Sequence, residues 1–292
     1  MNHFKVILLL LFLFATKGIN AQPFFDVLSV SNTYSFPVKS AEKNKKEIRS
    51  SYTCADLSIP IKLKEDVLVF SPGYENNYLS FQDSTPSSSV QGFRLPVAFV
   101  HKWKNSLWKS TFLVVGRSNA NVKDNWKEDS YQLGAAAIMA YEKKKNLTYK
   151  FGLYYNSEFF GPFFVPLLGI DYRPSDRVKV YGILPGSMNI EYKFSSILRG
   201  GALFRSITSS YRGGPHQFLK NSDNQLRLFL DFYIAKNHVI SLEAGHTILR
   251  RIKPGQRING DTTYPEFKTT DGTLFRIAYA FRIRLDQDEQ KN

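Results

Sequence analysis

The chain has 292 residues, of which 43% are hydrophobic, 22% charged and 15% aromatic, and its formal net charge is +14. This composition is compatible with an ordinary globular protein and does not by itself reveal a membrane protein. The single cysteine, Cys54, excludes an intrachain disulfide. The aromatic residues favour strands and membrane interfaces, and the basic excess suggests an acidic lipid, an anionic solute or a nucleic acid as partner.

The first 22 residues, MNHFKVILLLLFLFATKGINAQ, have the pattern of a secretory signal peptide. Lys5 precedes an apolar run from Val6 to Ala15, and a polar stretch ends at Ala21. The apolar run of about ten residues is shorter than the roughly 20 that a spanning helix needs. We therefore expect cleavage after Ala21, with a signal peptide over residues 1–21 and one mature domain over residues 22–292.

The mature sequence repeatedly alternates apolar and polar residues, which is the pattern of strands with one apolar face. The closing segment GTLFRIAYAFRIRL, from Gly272 to Leu285, has an aromatic, apolar row opposite a row of small residues and three arginines. No comparable stretch shows a helical period. Runs of this kind predict 14 strands, near residues 24–36, 50–63, 67–71, 92–103, 107–117, 130–142, 147–156, 163–173, 177–184, 187–194, 197–211, 225–235, 239–251 and 272–285.

Short polar links between these strands alternate with links that are mostly longer. The short set is 64–66, 104–106, 143–146, 174–176, 195–196 and 236–238, and the other set is 37–49, 72–91, 118–129, 157–162, 185–186, 212–224 and 252–271. Outer-membrane barrels have this sidedness, with short periplasmic turns and longer extracellular loops. The third strand and the pair joined by LPGS are the weakest, so 12 strands is the alternative.

A soluble β-sandwich or lipocalin-like barrel would also alternate and also follow a signal peptide. Here, however, the rows opposite the large apolar ones mix charged and small residues, which a soluble core rarely takes and a lumen accepts. Aromatic residues also cluster near strand ends, as at Trp103, Trp108 and Tyr141. The sequence therefore predicts an all-β, antiparallel up-and-down transmembrane β-barrel in the bacterial outer membrane, in contact with lipid and lipopolysaccharide.

Three parts of the sequence have features in common with a known group of proteins. They are the signal peptide ending NAQ, the segment VPLLGIDYRPSDRVKVYGILPGSMNIEYKFS from Val165 to Ser195, and the arginine-rich closing strand. Together they resemble the outer-membrane β-barrel proteins of unknown function common in Bacteroidota. The resemblance covers nearly the whole mature chain and implies a fold and a location, but it assigns no residue roles.

Catalysis by a lipid hydrolase would need a serine and a histidine on the outer wall of the barrel. Only His101 and His246 share the parity of the lipid-facing rows. Ser241, near His246, points to the opposite face, and no motif links the histidines to Ser206 or Ser110 on other strands. We therefore expect a protein that is not an enzyme, with a lipid-modifying enzyme as a less favoured alternative. One cysteine and scattered histidines supply no metal site, and no cofactor is expected.

The charged residues on the rows opposite the apolar ones form the candidate site. We expect them to line the lumen, and they are Arg94, Lys150, Glu191, Arg199, Arg205, Arg227, Asp231, Arg276, Arg282 and Arg284. Two interpretations stay open: an ion-pair ladder that plugs the barrel, or a lumen of positive potential that favours anionic solutes.

A barrel of 12 to 14 strands encloses more space than an eight-stranded barrel that side chains fill. We therefore expect a passive or facilitated conduit for a small anionic or hydrophobic solute. The alternative is a structural or binding barrel whose long loops meet a partner or an envelope glycan. The basic runs at 43–46 and 143–145 fall in a loop and a turn, so no nucleic-acid partner is expected, and the oligomeric state is left open.

Overall fold

The computed structural model describes residues 23–39, 47–81, 88–121, 127–264 and 270–285, and most of them are in β-strands. One turn of 3-10 helix occurs at Glu128–Ser130, and no helix in the described ranges is long and apolar enough to cross a membrane. The strands are β1 (Phe24–Lys39), β2 (Glu47–Leu57), β3 (Ile59–Leu63), β4 (Asp66–Phe70), β5 (Gly73–Phe81), β6 (Ser88–Lys102), β7 (Trp108–Asn121), β8 (Tyr131–Lys144), β9 (Leu147–Glu158), β10 (Gly161–Tyr172), β11 (Val178–Leu184), β12 (Ser187–Lys193), β13 (Leu198–Gly214), β14 (Gln217–Ala235), β15 (His238–Ile258), β16 (Asp261–Thr263) and β17 (Thr273–Arg284).

These segments form one closed antiparallel barrel with 14 wall strands. Three wall strands each consist of two consecutive segments, β2 with β3, β4 with β5, and β16 with β17. β2 pairs with β5 and β3 pairs with β4. β16 and β17 both pair with β15. Pairing of β17 with β1, from Arg284 opposite Phe24 to Leu274 opposite Ser35, closes the barrel. The predicted 14 strands are confirmed, and the 12-strand alternative is wrong.

The alternation of residues along each strand separates an apolar outer face from a polar inner face. On β14, Leu226, Leu228 and Leu230 are 52%, 68% and 41% exposed, whereas the intervening Arg227 is 3% exposed. Successive side chains of a strand point to opposite faces, so the barrel wall turns leucine outward and arginine inward. A soluble barrel would place these rows the other way round, and an outward apolar row fits hydrocarbon.

The short links lie where the sequence predicts them, but several of the longer links are shorter than predicted. The predicted loop 72–91 contains β5, the predicted loop 252–271 contains the end of β15 and all of β16, and the predicted loop 212–224 is a hairpin turn at 215–216. The third strand, predicted at 67–71, therefore continues as β5 to Phe81. The sequence does not predict these strand extensions, because both rows are polar there, as in KNSDNQ from Lys220 to Gln225. The alternation with a period of two therefore disappears.

The wall is uneven in height where β11 and β12 stand, since each has only seven residues. β10 pairs with β11 only from Leu168 to Tyr172, and β13 pairs with β12 only from Arg199 to Arg205. Above this level, among the described residues, residues 161–167 of β10 have a strand partner only on the β9 side. The wall gap is the opening bounded by residues 161–167 of β10, the 185–186 turn and residues 207–210 of β13.

Candidate functional site

Charged side chains on the inner face form ion pairs between strands, and some of these pairs join strands that are not neighbours in the wall. Glu191 on β12 is one centre of this network. Arg284 on β17 donates to it from Nη2 to Oε1 over 2.9 Å and from Nη1 to Oε2 over 3.2 Å. Arg199 on β13 lies 3.4 Å away, and both Arg199 and Glu191 are only 1% exposed. Three of the predicted residues therefore form one buried cluster.

Arg282 on β17 joins two further carboxylates. Its Nη1 donates to Oδ2 of Asp231 on β14 over 2.6 Å, and its Nε donates to Oδ1 of Asp26 on β1 over 2.7 Å. Its guanidinium carbon lies 3.6 Å from the centre of the Phe24 ring, which is a favourable cation–π distance. The predicted pair of Arg282 and Asp231 thus connects the closing seam of the barrel to β14.

Arg227 and Arg276 share a third carboxylate, Glu243 on β15. Arg227 donates from Nη1 to Oε2 of Glu243 over 2.7 Å, and Arg276 donates to Oε1 of the same carboxylate. Arg205 differs, since its side chain is exposed and forms no ion pair with any residue in the described ranges. Within the described ranges it is the one predicted residue without a direct ion pair, although it lies near enough to Glu243 to interact with its charge.

The remaining two predicted residues have their own acidic partners. Lys150 on β9 lies 2.6 Å from Oδ2 of Asp171 on β10. Arg94 on β6 donates over 2.6 Å to Oε2 of Glu75 on β5 and over 2.6 Å to Oδ1 of Asp56 on β2. Both sites link the cations to carboxylates on other strands, so they follow the same rule as the clusters around Glu191, Asp231 and Glu243.

This pairing cancels much of the charge that the sequence assigns to the inner rows. A guanidinium and a carboxylate in contact in a partly dehydrated interior are costly to separate, because each ion would be left unpaired. The geometry therefore favours the ion-pair ladder over an uninterrupted positive surface. That these residues line the path of a solute stays a prediction.

The inner face also has an apolar sector, which the sequence analysis missed. Phe163, Val165 and Leu167 on β10 share the parity of Asp171, whose carboxylate meets Lys150 on the inner face, so they point inward. The available signal was the segment FFVPLL from residue 163 to 168, in which both rows are apolar. Such a run indicates a strand that meets apolar surroundings on both faces. The sector also includes Ile183 on β11, the strand next to β10, and Leu203, which points inward on β13.

At the end with the longer links, the upper part of β13 crosses the mouth of the barrel. Ser210 accepts a hydrogen bond from the Phe159 amide over 2.9 Å and donates to Oε2 of Glu158 over 2.6 Å. The Tyr211 hydroxyl donates to Oε1 of Glu75 on β5 over 3.3 Å. Ser210 is 0% and Tyr211 2% exposed. Because β5 and β9 belong to other parts of the wall, these contacts hold β13 across the opening.

The histidines and serines considered for catalysis make other contacts. Nδ1 of His101 lies 2.8 Å from Oδ1 of Asp66, while Ser110 accepts from Nε1 of Trp103 over 2.7 Å. His246 is exposed. Within the described ranges, no hydrogen bond joins the side chain of His101 or His246 to a serine side chain, and no group of three or more His, Cys, Asp or Glu residues could hold a metal ion.

Comparison of sequences decides the family. The profile of a domain of unknown function, DUF6268, matches residues 19–286. The chain belongs to the DUF6268 family. The match extends over every strand of the barrel, so the fold described here is that of the DUF6268 domain in this chain. No curated protein matches the chain.

Solved structures similar to this DUF6268 barrel include the COG4313 outer membrane channel from Pseudomonas putida F1. That likeness has a TM-score of 0.53 at 9% identity, over 92% of this chain and 100% of the channel. The NanC porin is similar with a TM-score of 0.41 at 9% identity, over 88% of this chain and 100% of that one. The deltaS2S3 mutant of the TodX monoaromatic hydrocarbon channel has a TM-score of 0.46 at 10% identity, over 87% and 89%. The likeness to the COG4313 channel shows that the DUF6268 domain shares its barrel fold.

Proposed function

We propose that the protein is a passive or facilitated conduit for small solutes across the bacterial outer membrane. The observation that carries this proposal is the closed 14-stranded barrel with an apolar outside and a polar inside, in a chain that matches the whole length of an outer membrane channel. Fourteen strands enclose more space than the eight of barrels that side chains fill. Residues 1–21 would export the chain, and the resemblance to Bacteroidota barrels supports the same membrane.

The paired inner charges support an uncharged or apolar solute more than an anionic one. An anion that used Arg282 or Arg284 would have to displace Asp231 or Glu191, which lie 2.6 and 2.9 Å from these guanidiniums. Rings of arginine select anions in pores when their charge is available to the permeating ion. Here the carboxylates already occupy that position, so we propose weak charge selectivity.

Electrical recording of the purified barrel in planar bilayers, together with swelling of solute-loaded liposomes, tests this function. We expect conductance and sugar flux above those of protein-free membranes, with a reversal potential near zero in a salt gradient. Arg205→Gln tests whether an exposed arginine affects ion selectivity. The combined Arg276→Gln, Arg282→Gln and Arg284→Gln variant, called the paired variant, tests the arginines that are held in ion pairs. Absence of both ion and sugar flux would contradict the conduit function. A strong anion preference that is lost in the paired variant would instead support a lumen that favours anionic solutes.

One surface feature supports a second candidate, a barrel that binds lipopolysaccharide or another anionic envelope glycan. A groove of about 340 Å³ lies on the upper part of β14 and β15, and its lining carries three positive charges and no negative charge. The lining residues are Lys220, Ser222, Asn224, Leu249, Arg251, Lys253 and Tyr264. Lys220 continues the outward row of Leu226 and Leu228, so the groove lies on the outer side of the sheet.

Binding of purified lipopolysaccharide to the detergent-solubilised barrel tests the second candidate. A triple variant with Lys220→Gln, Arg251→Gln and Lys253→Gln should bind at least about tenfold more weakly, since each surface cation contributes about 1 kcal/mol toward an anionic membrane surface. The matched control changes Lys62, Lys64 and Lys104 to Gln, which removes the same charge from exposed positions at the other end of the barrel. Equal losses in both triple variants would show that the groove is not the binding site.

A further inference from the structure

The wall gap is large enough to matter for a small molecule. Residues 161–167 of β10 form a side about 20 Å long, and the missing upper parts of β11 and β12 leave about 14 Å between β10 and β13 at the base. At the top the gap closes, because the Phe159 amide lies 2.9 Å from Ser210 Oγ. In the described part of the chain, the opening is therefore a triangle with its base on the 185–186 turn.

The edge of β10 along the gap is chemically adapted to having no partner. The Arg173 amide donates to the Asn146 carbonyl at the foot of β9, so odd-numbered amides of β10 face β9 and even-numbered positions face β11 or the gap. Of the three even positions beside the gap, two are proline, Pro162 and Pro166. Proline has no amide hydrogen and occurs on strand edges. It removes donors that would cost several kcal/mol each if unpaired in hydrocarbon.

Both faces of β10 are apolar beside the gap. Outside, Phe164 and Leu168 are 63% and 67% exposed, and Pro166 pairs with Leu153 of β9, itself 51% exposed, so the gap lies at the level of the outer apolar surface. Inside, Val165 and its inward neighbours form the apolar sector. An apolar surface thus runs around the free edge of β10 from the outside of the barrel to its interior.

The direct route through the mouth meets the buried crossing of β13, in which Ser210 and Tyr211 bind to other parts of the wall. We propose that the wall gap is a lateral portal, through which a small apolar molecule passes between the outer leaflet and the apolar sector inside. This inference rests on the proposed conduit function and names the solute class and its route. Apolar solutes partition into the membrane before they reach the barrel, so a side entrance meets them where they concentrate.

Entry of the uncharged apolar dye N-phenylnaphthylamine into Gram-negative cells that carry the barrel in their outer membrane tests the portal. Pro166→Cys places a thiol on the edge of the gap, and N-cyclohexylmaleimide adds bulk there after the protein has folded. The restored amide of this variant is present with and without label, so the comparison of the two isolates the added bulk. Leu153→Cys is the matched control, because Leu153 is the cross-strand partner of Pro166 at the same height within a fully paired part of the wall. Cys54 is buried, so the unmodified protein treated with the reagent measures background.

We expect label at Pro166→Cys to slow dye entry at least about tenfold relative to the same unlabelled variant, since pore width sets flux, and label at Leu153→Cys to change it less than about twofold. Ion conductance should stay unchanged in both. Equal effects at the two positions, or no effect at Pro166→Cys, would overturn the portal while leaving the conduit in place, as would ion flux without dye entry in the unmodified protein. Absence of both dye entry and ion flux would instead contradict the conduit itself.

Discussion

The inner face of the barrel has two sectors that are held together by different physics. In the charged sector, around Glu191 and Arg282, directional ion pairs connect non-neighbouring strands at distances of 2.6 and 2.9 Å. In the apolar sector, around Val165 and Leu167, the side chains are half-buried and form contacts without fixed direction. The first sector fixes the strands across the interior, and the second leaves a surface that an apolar molecule can share. We infer that stability and passage are assigned to different sectors of one interior.

Removal of Glu191 should lower the free energy of unfolding more than the other substitutions proposed below. Glu191→Ala leaves Arg199 and Arg284 with no shared carboxylate, and loss of one partner of a buried pair costs about 3–5 kcal/mol in the free energy of unfolding. Leu167→Ala in the apolar sector should cost about 2 kcal/mol or less, because Leu167 is only half-buried. Urea unfolding in lipid vesicles, followed by tryptophan fluorescence, measures both. Equal costs would show that the two sectors do not differ in their structural role.

Arginine substitutions on the two faces of the wall should show the next largest effect. Phe151→Arg, at an outward position that is 44% exposed, should cost about 2–4 kcal/mol near the bilayer midplane. Ile138→Arg should cost less, because Ile138 points inward, where its new charge can reach water. Gly152 is unsuitable as the inward control, since an added Cβ would collide with the Ala137 carbonyl oxygen. The same unfolding assay applies, and equal costs at the two positions would show that the interior at Ile138 is as dry as the lipid face.

The barrel could be predicted from sequence because lipid and lumen impose a period of two on the wall strands. On β14 the alternation of Leu228 with Arg227 reports both faces at once. The upper extensions of β13, β14 and β15 could not be predicted in this way, because polar residues occupy both rows there and the alternation disappears. The hairpin turn after Gly214 was therefore interpreted as part of a loop.

The candidate site was only partly accessible to the same argument. Parity assigns Arg284 and Glu191 to the inner face, but it does not say which strands stand opposite each other in a closed barrel. The ion pair between Arg284 on β17 and Glu191 on β12 could therefore not be predicted. The apolar sector was missed for another reason. Val165 lies in a run in which both rows are apolar, so the sequence does not show which row faces the interior. The contact of Asp171 with Lys150 on the inner face decides this.

Loosening the mouth should have a moderate effect on stability and a clear effect on conductance. Ser210→Ala removes the hydroxyl that binds the Phe159 amide and Glu158, which should cost about 1–3 kcal/mol because buried polar groups lose a partner. If β13 restricts the mouth, single-channel conductance should rise in this variant. Ser209→Ala, one residue earlier on β13, is the matched control. Unchanged conductance in Ser210→Ala would show that the crossing of β13 does not limit ion flow.

The smallest expected effect concerns a bulge that sets which charges join the inner sector. The pairing of β14 with β15 shifts between Asn224 and Ser222, and Leu249 has a φ of 56° at this point. The shift turns Arg250 inward, where its Nη2 donates to Ser50 over 2.9 Å. Asp271 holds the bulge, because its carboxylate accepts from the Leu249 amide over 3.0 Å and from the Arg250 amide over 2.7 Å.

Asp271→Asn should therefore lower the free energy of unfolding by about 1 kcal/mol at neutral pH, since it weakens hydrogen bonds to a charged acceptor. Reduced solvation raises the pKa of Asp271, but the Arg250 and Leu249 amides outweigh it and hold the pKa below its ordinary value. Because the folded pKa is below the unfolded one, the stabilisation is present above the unfolded pKa and is lost as the pH falls through the folded pKa. The difference between the two proteins in urea unfolding should thus shrink in acid. A difference that is constant from neutral pH to below the folded pKa would show that the carboxylate charge does not hold the bulge.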